Sequence, residues 1–249
     1  MNELFERTTD FFIRNFPSGK ALAIGGPAGL AWSWTALWIA GMLKRSGTRT
    51  GYTRKVFHFL IFSTAAFLQW RLGTPAVCLF GGMCSLVVFY AVWRGSGHLL
   101  YEAMARERDE PHRTFFILVP YFTTLAGGLA ANILFGPFAL AGYLVAGLGD
   151  AIGEPVGTRF GKHRYRVWSL AAVPATRSLE GSAAVLAMSA IALILAAAAS
   201  PHIVLGPHGL LKVGAIAVAS TLLEAISPHG WDNATMQVAP AALAWLWLT

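Results

Sequence analysis

Two carboxylates stand one helical turn apart near the end of an apolar run. The stretch "GLGDAIGEPVGTRFGKHRYRV", residues 147–167, places Asp150 and Glu154 four positions apart, so a helix presents both on one face. Insertion scales put the cost of an ionised group in the hydrocarbon region at about 3 kcal/mol, and like charges one turn apart raise each other's pKa. Mg²⁺ relieves both penalties and is commonly held by one or two carboxylates together with substrate phosphates. The alternative is a structural ion cluster with loop arginines.

Basic residues and glycines follow these carboxylates directly. The loop supplies Lys162 and Arg164, and Gly157 and Gly161 allow a backbone to approach phosphate closely. This pattern predicts phosphate binding without a Walker A loop, because only three residues separate the glycines and His163 replaces the hydroxyl residue.

The same glycines also suggest helix packing. Together with Gly149 and Gly153 they recur at every fourth position, which lines one side of a helix with small residues. We expect packing for Gly149 and Gly153. Beyond Pro155 a regular helix is doubtful, so the phosphate role is retained for the later pair.

A second helix begins at "ATRSLEGSAAV", residues 175–185. Ser178 is the expected N-cap, and Glu180 in the first turn suits the helix dipole. Arg177 does not suit it, unless an anion lies between this cation and the free N–H groups of the helix end. The alternative is a surface pair between Arg177 and Glu180 with snorkelling to the membrane interface.

His58 and two neighbouring basic residues begin another apolar run. In "GYTRKVFHFL", Arg54 and His58 share a helical face, and Lys55 lies a turn from His58. His58 is a candidate general base, or a phosphate contact if protonated. A lone membrane histidine is more often a hydrogen-bonded structural residue.

Asp232 and Asn233 follow a Pro/Gly turn at the edge of the last apolar run. They are candidates to complete a metal shell or activate a hydroxyl group, and the alternative is a helix cap. Glu224, in the preceding run, is expected to point into the bundle because exposure to lipid is costly for an acid.

These residues must be positioned by membrane helices. Hydrophobic residues make up 55% of the 249 positions and charged residues 12%, about half the roughly 25% of soluble domains. The mean hydropathy is +0.55. We expect an all-α polytopic bundle of seven or eight transmembrane helices, the last being insecure because Pro240 interrupts it. The apolar runs lie at 21–43, 56–70, 75–93, 115–135, 137–154, 181–199, 210–227 and 234–249.

The organisation predicted is a polar N-terminal segment, 1–20, and a single transmembrane catalytic domain, 21–249. Eight spans place the loops at 44–55, 94–114, 155–180 and 228–233 on one side, with 14 of the 19 Lys and Arg residues. The positive-inside rule makes this side cytoplasmic. A multi-pass protein of a bacterial inner membrane or an organelle membrane is therefore expected, with its active site facing the cytoplasm.

Other function classes are disfavoured. Topology explains the net charge of +7, so no nucleic-acid partner is expected. No signal or transit peptide is visible in the first twenty residues. Cys78 and Cys84 turn to different helical faces, which does not support a zinc site.

The segment "HLLYEAMARERDE", 98–110, fits an interfacial amphipathic helix or a solvated linker equally well.

Four stretches in this order, "RKVFHF", "GLGDAIGEPVGTRFGK", "RSLEGS" and "HGWDN", resemble the CTP-dependent polyprenol kinases, which include dolichol, phytol and farnesol kinases. The resemblance covers most of 54–240. It implies a multi-spanning helical enzyme that transfers the γ-phosphoryl group of CTP to an isoprenoid alcohol. It implies nucleotide and metal roles for Asp150, Gly161, Lys162, Arg177, Glu180 and Gly181, and importance for Arg54, Lys55, His58, Asp232 and Asn233. Arg177 stands where family members often have lysine, which leaves nucleotide preference less certain than reaction class.

The mechanism expected is phosphoryl transfer by positioning and charge neutralisation. Mg²⁺ is assigned to Asp150 with help from Glu154 or Asp232. Asp232 or His58 is expected to accept the hydroxyl proton, the carboxylate being slightly favoured. Phosphate contacts are assigned to Lys162, Arg164 and Arg177, within a wider nucleotide set that adds Arg54, Lys55, Gly157, Gly161, Ser178, Glu180, Gly181 and Asn233.

Two other functions compete with this one. Phosphatidate cytidylyltransferase also uses CTP at a membrane face, but its denser acidic and basic signature is absent. An anion transporter predicts charges near the bilayer midplane and paired interruptions in two halves of the chain, whereas here the charges gather at one face.

Overall fold

The computed structural model describes residues 2–168, 175–228 and 230–249, and helices dominate these ranges. His229 of the last motif lies outside them. The helices are α1 (Asn2–Arg14), α2 (Gly19–Arg45), α3 (Thr50–Leu72), α4 (Thr74–Arg94), α5 (Leu99–Glu102), α6 (Phe115–Phe135), α7 (Ala139–Leu144), α8 (Ala151–Phe160), α9 (Leu179–Ala199), α10 (Gly209–Ile226) and α11 (Asp232–Trp247). The division into a segment 1–20 and a domain 21–249 stays a prediction.

A membrane protein is indicated by four helical stretches that are long and apolar enough to cross a bilayer: Thr74–Arg94, Phe115–Phe160, Leu179–Ala199 and Gly209–Ile226. The predicted apolar runs coincide with helices, but α2, α3 and α11 are not among these four within the described residues. The predicted number of seven or eight spans is therefore not confirmed.

The stretch from Phe115 to Phe160 folds back on itself at a 3₁₀ turn, Gly136–Phe138. Asn132 Nδ2 donates to the Tyr143 hydroxyl at 2.6 Å across this reversal. Between α7 and α8 the backbone makes one π-helical turn, Val145–Asp150. Such turns are rare and often occur at functional sites.

Helix α8 continues through Pro155 to Phe160, so the expectation that regular helix ends near this proline is wrong. Proline removes one helical hydrogen bond. Close packing offsets this loss, because α8 lies against α9 along its small residues. A Cβ on Gly153 would lie 2.7 Å from Val185 Cγ2, and a Cβ on Gly181 would lie 2.8 Å from the Gly153 carbonyl oxygen.

A short antiparallel hairpin, absent from the all-helical prediction, joins α8 to α9. Its strands are β1 (Arg164–Val167) and β2 (Ala175–Ser178), with Arg164 opposite Ser178 and Tyr165 opposite Arg177. The pairing places basic residues of both strands beside the start of α9.

The segment 98–110 folds into the bundle, although its sequence left an interfacial amphipathic helix and a solvated linker equally open. Its helical parts are α5 and a 3₁₀ turn, Glu107–Asp109. Leu100, Met104 and Ala105 are buried with residues of α2 and α4. Gly41 makes this possible, because a Cβ at that position would lie 2.7 Å from Leu99 Cγ. A second, larger core joins α3, α7, α9, α10 and α11.

Candidate active site

Asp150 lies at the end of the π turn and is only 3% exposed. Lys55, in α3, donates from Nζ to Asp150 Oδ2 at 2.7 Å. His58 Nε2 lies 3.4 Å from the same oxygen and 3.0 Å from the Ala146 carbonyl oxygen. A carbonyl only accepts, so the hydrogen on Nε2 is directed to Ala146. The first turns of α3 are thereby connected to the π turn through buried polar groups.

Arg177 forms a second group of ion pairs, with two buried carboxylates. Its Nε lies 2.9 Å from Glu224 Oε1, and its Nη2 lies 2.9 Å from Asp232 Oδ2. The planar guanidinium can engage two carboxylates because its donors form a rigid fork. Arg177 thus joins β2 to α10 and α11. The surface pair with Glu180, which was the alternative for Arg177, is not among its ion pairs.

The carboxylates of Asp150, Glu224 and Asp232 form one cluster. Each offers an oxygen atom, these oxygens lie within 4.8 Å of one another, and all three residues are buried. Hard oxygen ligands from buried acids are the donors that Mg²⁺ prefers, so the residues present fit this ion. Lys55 and Arg177 offset part of the cluster's negative charge. Glu224 points inward as expected, but its place beside Asp150 was missed; an acid within an apolar run was the available signal.

Glu154 has different neighbours from Asp150. Its Oε1 accepts from Arg106 Nη1 and from Arg108 Nη2, both at 3.2 Å. Glu154 is thus paired with arginines of the loop between α5 and α6. This geometry is that of a structural ion cluster, the alternative to metal binding. A metal role for Glu154 stays a prediction.

A polar cavity of about 270 Å³ contains these groups. Its lining includes four acidic residues, the three-carboxylate cluster and Glu154. It also includes seven basic residues: Arg49, Arg54, Lys55, Arg106, Arg108, Arg164 and Arg177. The excess of positive charge suits a polyanion.

An apolar cavity of about 390 Å³ lies beside the polar one. Phe57, Phe62 and Phe116 are among its lining residues. Arg54 and Lys55 line both cavities, so the two meet at the start of α3. Apolar pockets with a few convergent polar groups are the usual form of a lipid or small-molecule site.

Several predicted site residues lie around rather than in the polar cavity. His58 and Asn233 line the apolar cavity, and Asn233 Nδ2 donates to Pro120 O at 3.0 Å. Lys162 is exposed. Neither Lys162 nor Glu180 lines the polar cavity. Glu180 Oε1 lies 2.8 Å from His163 Nδ1.

The glycine and serine residues of the predicted nucleotide set have structural contacts. Ser178 caps α9 as predicted, because its Oγ accepts from the Gly181 N–H at 3.1 Å. A Cβ on Gly157 or on Gly161 would lie within 2.8 Å of Ser178 Oγ. Ser178, Gly157 and Gly181 also line the polar cavity, so packing and ligand contact are compatible there.

The fold and this site define a helical membrane protein in which a charged cavity with three clustered carboxylates adjoins an apolar cavity. Comparison with known proteins finds a relative. The chain is 34% identical over 116 residues to a phytol kinase of Synechocystis sp.. The alignment covers 45% of this chain and 46% of that relative, so it spans about half the length of either protein. The match supports a family relationship with the polyprenol and phytol kinases.

The other comparisons add no relative. No family model matches the chain, and no solved structure matches it.

Proposed function

We propose that this protein is a membrane kinase that transfers the γ-phosphoryl group of CTP to the hydroxyl group of an isoprenoid alcohol in an Mg²⁺-dependent reaction. The observation that carries the proposal is the junction of the two cavities at Arg54 and Lys55. A prenyl chain suits the apolar cavity and a polyphosphate suits the polar one. The alcohol hydroxyl group would therefore meet the terminal phosphate at this junction.

Asp150 and Glu224 would hold Mg²⁺, and Asp232 lies beside them as the proposed base. When bound, the ion would neutralise charge on the polyphosphate. Lys55 and Arg177 flank the carboxylates and would bind phosphate oxygens through charge-assisted hydrogen bonds. Burial of these groups excludes water, which strengthens each electrostatic contact.

In the proposed reaction the alcohol oxygen forms a bond to the γ-phosphorus while the bond from that phosphorus to the bridging oxygen breaks. CDP leaves with the bridging oxygen, and Asp232 accepts the hydroxyl proton. His58 would position Asp150, since its Nε2 lies 3.4 Å from that carboxylate and donates to the Ala146 carbonyl. Placement of this site at the cytoplasmic face is part of the proposal and is supported by the concentration of Lys and Arg in the loops that flank it.

The position of a radiolabel tests this function. Membranes containing the protein would be incubated with Mg²⁺, a panel of prenyl alcohols and CTP labelled at either the γ or the α phosphate. We expect γ label in the lipid fraction and none from α-labelled CTP. Asp150→Asn membranes with equal protein content provide the control.

Two other labelling results would contradict the kinase. Transfer of α label to phosphatidate would support a cytidylyltransferase instead, because that reaction attacks the α-phosphorus. Absence of lipid label with every alcohol and nucleotide, including ATP and GTP, would contradict both.

A further inference from the structure

The lining of the polar cavity contains two charged groups of side chains, named here the carboxylate end and the arginine end. The carboxylate end contains Asp150, Glu224 and Asp232, with Lys55 and Arg177 as partners. The arginine end contains Arg54, Arg106 and Arg108, with Glu154 as the acidic residue between them. One end therefore suits a cation and the other an anion.

Arg106 is the buried, fixed member of the arginine end, whereas the Arg108 side chain is 56% exposed. Arg106 is 4% exposed and donates from Nε to Asp109 Oδ2 at 3.0 Å, and Asp109 is itself 2% exposed. Arg106 also donates to Glu154, which accepts from Arg108 on the same oxygen. A buried cation held by two carboxylates is fixed in orientation, so these contacts determine where the guanidinium group lies.

The loop that supplies Arg106 and Arg108 is anchored on three sides. Thr53 Oγ1 donates to the Ala103 carbonyl at 2.8 Å, and Arg113 Nη2 donates to the Ala105 carbonyl at 2.8 Å. Lys44 donates to Glu107, and this bond holds the pKa of Glu107 below its usual value. The loop is therefore a fixed wall of the cavity.

Arg54 provides an independent indication of a ligand. Its Nη1 is buried and has no hydrogen-bond partner among the described residues. A buried guanidinium donor without an acceptor is costly, and phosphate oxygens are acceptors that match its geometry. Arg54 lines the polar cavity beside Glu154, Arg106 and Arg108, so an anion bound there would supply the missing acceptor.

We infer that the arginine end binds the phosphates that are not transferred, through Arg54 and Arg108. Asp109 orients Arg106, Arg106 holds Glu154, and Glu154 positions Arg108 for this contact. The inference rests on the proposed function. The carboxylate end and the cavity junction at Lys55 place the transferred γ-phosphate near Asp150. The α- and β-phosphates then extend toward the arginines, and the nucleotide has one orientation in the cavity.

CDP binding tests the inference, because CDP carries the α- and β-phosphates alone. Arg108→Ala would be compared with Arg45→Ala, which removes an equal charge from an exposed residue outside the cavity lining. We expect Arg108→Ala to raise the CDP dissociation constant and the KM for CTP by the same factor, about tenfold. The kcat and the KM for the alcohol should stay within about twofold, and Arg45→Ala should change none of these values.

Two results would overturn the inference. A lower kcat with unchanged CDP binding would mean that Arg108 contacts the γ-phosphate. An unchanged kcat together with unchanged CDP binding would mean that the arginine end binds no phosphate.

Glu154→Gln separates a positioning role from a metal role. We expect weaker CDP binding and an unchanged Mg²⁺ concentration for half-maximal activity. An increase in that concentration with normal CDP binding would make Glu154 a metal ligand and contradict its assignment to the arginines.

Failure of the proposed function is distinguishable from failure of the inference. Wild-type protein that binds CDP in an Arg108-dependent manner but phosphorylates no alcohol would refute the kinase while confirming the phosphate site. An active kinase whose CDP binding is unchanged in Arg108→Ala would confirm the kinase and refute the phosphate site.

Discussion

Lys55 and Asp150 are joined by a 2.7 Å hydrogen bond between two buried side chains that are 95 residues apart in sequence. The bond connects α3 to the π turn and lies where the two cavities meet. A buried ion pair contributes little net stability compared with an apolar pair, and loss of one partner leaves an uncompensated charge. The proposed metal and phosphate roles give this pair a function that its small net contribution to stability does not.

Asp150→Asn tests the central carboxylate. The substitution keeps the shape of the side chain but removes the negative charge, so we expect kcat to fall by about 100-fold or more with the protein still inserted in the membrane. Initial rates at saturating substrates, normalised to protein in the membrane fraction, provide the measurement. Asp10→Asn, an exposed position on α1, is the control and should retain full activity. An Asp150→Asn protein of wild-type activity would eliminate the metal assignment.

Glu224→Gln tests whether Glu224 is one of the residues that bind Mg²⁺. Loss of one charged oxygen ligand should raise the Mg²⁺ concentration for half-maximal activity by about tenfold, in line with the effects of altered metal-site residues. A magnesium titration at saturating nucleotide measures this value. Glu6→Gln, an exposed control, should leave it unchanged. An unchanged titration for Glu224→Gln would exclude this residue from the metal site.

Gly81→Leu tests the apolar cavity as the alcohol site. Gly81 lines this cavity, and a Cβ at that position meets nothing within 4 Å, so the backbone there has room for the start of a side chain. We expect kcat/KM for long prenyl alcohols to fall by about tenfold, with less loss for short ones, while the KM for nucleotide is unchanged. Gly214→Leu, also with open space at its Cβ but outside the cavity lining, is the matched control. Equal losses for all alcohols in both variants would argue against this cavity as the site.

Gly181→Ala tests the close approach of α8 and α9. The added Cβ would lie 2.8 Å from the Gly153 carbonyl oxygen, and a backbone atom in a packed helix pair moves only at a cost. We expect a loss of stability of about 1–3 kcal/mol. Thermal unfolding of the detergent-purified protein measures it as a lower midpoint. Gly214→Ala, where the Cβ meets nothing within 4 Å, should leave the midpoint unchanged or raise it. Similar midpoints for the two variants would show that the helix contact tolerates a side chain.

Local features of the site were predictable from sequence. The N-cap at Ser178 was predicted because capping depends on a few consecutive residues. The inward direction of Glu224 was predicted because lipid exposure of an acid is costly. The sequence left the placement of the segment 98–110 open, because its amphipathic pattern is the same whether the apolar face meets lipid or the core of the protein. Only packing against α2 and α4 distinguishes these two outcomes.

Sequence alone determined that this chain is an apolar, helical membrane protein with an uncommon set of acids and bases, since composition and short-range periodicity control helix formation and partition into lipid. The tertiary structure decided which of those groups become neighbours: Glu224 with Asp150, Glu154 with Arg106 and Arg108, and one cavity with the other at Lys55. These relationships depend on how closely helices distant in sequence approach each other. That distance is set by side-chain packing across helix interfaces, and no local pattern in the chain encodes it.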